Sequence, residues 1–187
     1  MIFIFTMDTN HNNKEIEQSL NKAKSFTRWD NTKRWIPSLI ILPIAVFWIL
    51  NRGEYGLLDN IDLVIHEAGH FFFSLFGKYI YTLGGTLMQI ILPSIIAVFF
   101  LRNNYRTGVQ FGLLWLGQNF INISVYAADA RAQQLPLLGG NKVYHDWHYL
   151  LGEIGLLEYD QVVGFIFLGF AIAIFAVAVL MPLLTHD

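Results

Sequence analysis

His66, Glu67 and His70 lie in the stretch Ile61-Asp62-Leu63-Val64-Ile65-His66-Glu67-Ala68-Gly69-His70-Phe71-Phe72-Phe73, an H-E-x-x-H pattern inside an apolar run. On a helix, residues four apart stand one above the other on one face, so the two imidazoles can share one ion. Imidazole nitrogens bind Zn²⁺ at about 2.0–2.1 Å, and the ion lowers the pKa of a bound water towards about 7. Glu67 follows the first histidine and is well placed to take that water's proton. The pattern predicts a zinc-dependent hydrolytic centre, with His66 and His70 as ligands and Glu67 as general base.

The element that must carry these residues is itself apolar. Leu57 to Phe76 is a window of 20 residues. That length crosses a bilayer as a helix at about 1.5 Å per residue. Its apolar side chains favour insertion by about 0.3–0.6 kcal/mol each, or roughly 5 kcal/mol over a dozen. Asp62 and Glu67 would each cost about 3 kcal/mol if ionised near the middle. Alone, such a helix is marginal. It needs protein neighbours and a partner for its charges, and a metal is the obvious partner.

Composition points the same way. The chain is 55% hydrophobic and 14% charged, and its apolar residues come in blocks. The fold class expected is all-α, a multi-pass transmembrane helical bundle of about five spans. The blocks are Trp35 to Leu50, Leu57 to Phe76, Tyr79 to Leu101, Thr107 to Ala128 and Val162 to Leu184. The third is read either as one span or as an extended piece to Gly85 followed by a helix. A net charge of −2 offers no nucleic-acid footprint. There is no cysteine, which removes disulfides and thiolate ligands.

Residues 1–34 form a polar tail and residues 35–187 the membrane-embedded domain. Met1 to Thr6 is apolar but too short for a signal-peptide core. Within the tail, Ile16, Leu20, Ala23 and Phe26 fall at helical spacing among lysines, so a surface-lying amphipathic helix and a solvated tail are both open. If all five blocks cross, the tail side collects most of the Lys and Arg residues, which places the N-terminus in the cytoplasm and the protein in the cell membrane.

Two histidines do not close a catalytic zinc site, which takes three protein ligands and an open position. Asn119, Asn122, Tyr126, Asp129 and Gln133 form a polar stripe at steps of three and four. Such a stripe must face the protein interior. Asp129 is its only acid and is the expected third ligand. Asn119 and Asn122 are read either as site residues or as interhelical hydrogen-bond partners. The rival group is His145-Asp146-Trp147-His148. There, His145 is an alternative ligand or substrate-polarising residue, and Asp146 a cap for a helix running from Trp147 to Leu157. Gly84-Gly85-Thr86 and Gln89 are read as groups that offer backbone or amide hydrogen bonds beside the metal, with close helix packing as the other reading of the glycines.

At these residues the chain resembles the membrane-embedded zinc metallopeptidases of the site-2 protease type, the M50-like group. The resemblance covers roughly Leu57 to Gly140 and implies several transmembrane helices, zinc, and peptide hydrolysis within or beside the bilayer. It carries His66 and His70 over as ligands, Glu67 as general base, and Asp129 as the aspartate ligand on a later helix. That group typically has Asp followed by Gly, whereas Asp129 here is followed by Ala130. The partners implied are the lipid bilayer and a membrane protein or peptide substrate, with Asn122 or His145 steadying the oxyanion. Two other readings stay open: a zinc hydrolase acting on a lipid or small molecule, and a non-catalytic metal-binding scaffold.

Overall fold

The computed structural model describes residues 16–18, 20, 32–135 and 145–184. The chain divides into two compact units, Met1–Ile36 and Pro37–Asp187. In the first, residues 16–18 and 20 are helical and exposed. Ala23 and Phe26, which would complete the amphipathic face, lie outside the described residues. The described residues contain helix and no strand, so the all-α class holds.

From Ile36 on, the α-helices are α1 (Ile36–Leu50), whose residues from Pro37 on belong to the second unit, and, within that unit, α2 (Leu57–Phe72), α3 (Lys78–Arg102), α4 (Arg106–Ala128), α5 (Asp146–Glu153) and α6 (Asp160–Leu184). At the start of α2 the Asp59 carboxylate accepts the Gly56 N–H, satisfying a donor that the first turn leaves free. After α2 comes a 3₁₀ turn, Ser74–Phe76, and then Gly77 at φ 83°, a left-handed conformation that glycine adopts without a Cβ clash. The expected 20-residue helix is therefore 16 residues long, because the chain turns before Phe76. The extended piece to Gly85 is absent too. α3 is one helix of 25 residues through Gly84, Gly85 and Pro93.

α4 is the central post. Its Leu114 and Ile121 pack with Ile41 and Ala45 of α1 and with Ala171, Phe175 and Ala178 of α6. Buried Gln110 ties the three together: its Nε2 donates to Ser38 Oγ at 2.9 Å and to the Ala178 carbonyl at 2.8 Å. In apolar surroundings each such bond is worth on the order of 1 kcal/mol.

α2 and α3 meet backbone to backbone. A Cβ on Gly69 would collide with the Gly84 carbonyl, and one on Gly85 would come within 2.5–2.6 Å of three atoms of the His66 ring. The glycine pair read as a packing device is one, and Gly69 is its counterpart. α5 is anchored through Trp147, Leu150 and Leu151, spaced i, i+3, i+4, which pack on Ile123, Ala127 and Ala130.

Among the described residues, two helices are long and apolar enough to cross a membrane: Lys78–Arg102, and Leu157–Leu184 with its opening 3₁₀ turn. The blocks led to an expectation of about five. α1 and α2 are shorter, at 15 and 16 residues. α4 has the length, at 23 residues, but carries buried Gln110, Gln118 and Asn119, which lower its hydropathy.

Candidate metal centre

Three side chains from two distant parts of the chain converge. Nε2 of His66 lies 2.9 Å from Oδ2 of Asp146, and Nε2 of His70 lies 3.2 Å from the same oxygen. The ligand atoms of the three all lie within 4.8 Å of one another. The imidazoles stand nearly perpendicular, at 82°.

The other face of each ring is held. His70 Nδ1 donates to the Tyr81 carbonyl at 2.8 Å. A carbonyl only accepts, so the hydrogen of neutral His70 sits on Nδ1 and its Nε2 presents a lone pair. His66 Nδ1 stands 3.0 Å from Gln89 Oε1 in the same relation. Two nitrogen lone pairs and a carboxylate oxygen thus point at one place. Acceptors so close repel unless a proton or a cation lies among them. Two imidazoles and a carboxylate, each imidazole oriented by an acceptor behind it, are a donor set suited to a divalent ion of the zinc class.

Asp146 is the first residue of α5, and His145 is that helix's N-cap, its Nδ1 accepting the His148 N–H. The sequence places the cap one residue later, at Asp146, and ends the helix at Leu157. The helix ends at Glu153, before Gly155 at φ 70°. Burial pushes the Asp146 carboxyl up, but its bonds to His66 and His70 outweigh that and hold it below the usual carboxylate range. Burial pushes the His145 imidazole down, against the opposing pull of Asp129.

Asp129 is not in the group of three. α4 ends at Ala128, and the Asp129 carboxylate turns back to accept the N–H groups of Gln134 and Leu135, both at 3.0 Å. Its Oδ2 also meets His145 Nε2 at 3.3 Å. Both nitrogens of His145 are therefore engaged away from His66 and His70. The acid that reaches the imidazoles is Asp146, adjacent to the histidine considered as the rival ligand.

The stripe on α4 does face inward. Asn122 Nδ2 donates to Asp59 at 2.7 Å and to Asp62 at 3.4 Å. Asn119 donates to Asp62 at 3.2 Å, Trp115 Nε1 to Asp62 at 2.8 Å, and Gln118 to Asp59 at 2.7 Å. Asn119 and Asn122 make the interhelical hydrogen bonds, and Asn122 also lines the cavity beside the histidines. The acidic half of that contact was missed: Asp59 and Asp62 precede His66 at helical spacing on the same face of α2, and that signal was in the sequence. Fully buried Asp62 is thereby paired with neutral donors.

These groups line one cavity of about 1110 Å³, which His66, Glu67, His70, Tyr126, His145 and Asp146 share with Asp59, Asp62 and Asn122. Glu67 is exposed at its wall, one residue from a histidine of the triad. The cavity can hold a substrate segment beside the three convergent atoms, with the Glu67 side chain in its wall. Set against protein-family models, curated proteins and solved structures, the chain has no match.

Proposed function

We propose that the chain is a membrane-embedded zinc hydrolase, specifically a metallopeptidase of the site-2 type that cleaves peptide bonds of membrane-associated substrates. The observation that carries this reading is the meeting of His66 Nε2, His70 Nε2 and Asp146 Oδ2 with both Nδ1 atoms already engaged. In this reading Asp146 is the third ligand in place of Asp129. Bound there, zinc supplies a Lewis acid and an acidified water. Glu67 accepts the proton of the attacking water and returns it to the departing amine nitrogen. Tyr126 and Gln89 hold the ligand residues.

The bilayer setting rests on α3, α6 and the apolar residues they expose. Phe165, Ile166, Phe170 and Leu183 of α6 and Ile95 and Phe99 of α3 are all more than half exposed. Exposed apolar surface on this scale calls for a cover, and lipid is the cover that fits long apolar helices. We place the remaining helices in the same bilayer as a bundle of about five, with the basic tail cytoplasmic.

The test is the detergent-purified chain with metal analysis and fluorogenic transmembrane peptides. Stoichiometric zinc is expected, lost in Asp146→Ala and kept in Glu67→Gln, with peptide cleavage abolished in both. A zinc-free wild type, or an active Glu67→Gln, overturns the reading. Glu67-dependent release of fatty acid from vesicles, with peptides left intact, would replace the peptidase by a lipid hydrolase.

A further inference from the structure

Asp146 sits on a short helix, 80 residues along the chain from His66, beyond the turn that ends α4. A carboxylate on such an element keeps its place only if the helix start is gripped. Two devices do this. His145 has a fully buried side chain with two directed bonds: Nε2 donates to Asp129 Oδ2 at 3.3 Å, and Nδ1 accepts the His148 N–H at 3.3 Å. Asp129 is itself fixed by the N–H groups of Gln134 and Leu135. The second device is Tyr126 on α4. Its hydroxyl accepts the Asp146 N–H at 3.0 Å, and its ring lies 4.3 Å from that of His145 and 5.9 Å from that of His66.

We propose that Asp129, His145 and Tyr126 are positioning residues: by Asp129 orienting His145, His145 capping α5 and Tyr126 holding the Asp146 N–H, they aim Asp146 Oδ2 at the two imidazoles. The inference rests on Asp146 being a metal ligand. It gives Asp129 a role without contact to the metal, and it accounts for His145 having no nitrogen left to ligate.

The expected size follows from residues that hold metal ligands elsewhere, whose loss weakens metal affinity about 10–100-fold. Zinc affinity, by competition with a chromophoric chelator, and the visible spectrum of the Co²⁺-loaded protein are measured on the full chain. Tyr126→Phe keeps the ring and removes the hydroxyl. It is expected to weaken zinc binding about tenfold and to shift the Co²⁺ bands. His145→Ala is expected to lose more. His145→Asn restores an acceptor for the His148 N–H, because Asn caps helices well, and should recover much of that loss. If His145→Ala fails to fold, Tyr126→Phe and Asp129→Asn still decide. Wild-type affinity and an unchanged Co²⁺ spectrum in Tyr126→Phe and Asp129→Asn overturn the proposal. So does a His145→Asn variant as metal-free as Asp146→Ala, which would make His145 a ligand. A wild type that binds no zinc fails the functional reading instead.

Discussion

His70 Nδ1 and the backbone oxygen of Tyr81 are 2.8 Å apart, so a main-chain carbonyl sets the tautomer of a side chain in the candidate centre. His66 is set by a side chain, Gln89. The two histidines should therefore respond differently to mutation. Gln89→Leu is expected to weaken zinc affinity about 10–100-fold, because His66 loses the acceptor that fixes its ring. Gln89→Glu keeps an acceptor and should bind at least as well as wild type. Substitution of the Tyr81 side chain by Leu should leave His70 orientation and affinity near wild type. Chelator competition across the three variants reads this directly, and a Tyr81→Leu loss equal to that of Gln89→Leu counts against it.

The pH dependence of metal binding follows from the ligand types. An imidazole must lose its proton to ligate, and its ordinary pKa is about 6.5. Asp146 is held below the usual carboxylate range, so it stays ionised as the histidines protonate. Zinc affinity should fall as pH is lowered into the range where imidazoles protonate, with a limiting slope near two protons per ion. A slope near three would mean a third imidazole in the site and would remove Asp146 from it. The same depressed carboxyl pKa gives apo-protein stability that is present above about pH 4, the unfolded value, and lost as pH falls through the lower folded value.

Gly85→Ala tests the α2–α3 contact. The added Cβ would fall within 2.5–2.6 Å of the His66 ring, which must move. The expected result is loss of zinc affinity greater than the change in thermal stability of the metal-free protein. Gly69→Ala meets backbone rather than a ring, so it should lower the stability of the apo protein by about 1–3 kcal/mol, as overpacking does. Thermal unfolding and chelator competition on both variants separate these outcomes.

Asp62 anchors α2 to α4 through Trp115 and Asn119, with no part in the triad. Asp62→Leu takes the acceptor from the half-buried Trp115 Nε1–H and one of the two acceptors from the buried Asn119 amide, which keeps the Trp115 carbonyl. It is expected to destabilise the fold by about 2–4 kcal/mol, read as a fall in unfolding midpoint. Asp62→Asn keeps one acceptor oxygen and should cost less. If Asp62→Leu were neutral, the polar stripe on α4 would not be holding α2.

The positions of His66, Glu67 and His70 on one helix were legible in the residues, because a four-residue step is a local property of the α-helix. So were the bounds of α1, α4 and α6 to within a few residues, each marked by an apolar run. The inward direction of Asn119 and Asn122 was legible too, since amides in an apolar helix seek partners. What could not be read was which acid closes the group. Asp129 was the local favourite because it continues the stripe, yet α4 stops at Ala128 and Asp129 accepts from the turn that follows. Asp146 looked like a cap, and no periodicity links it to a histidine 80 residues earlier. It arrives because Trp147, Leu150 and Leu151 bury themselves on the end of α4 and turn the first residue of α5 towards α2. Spacing along the chain sets what shares a helix face; long-range packing sets which faces meet.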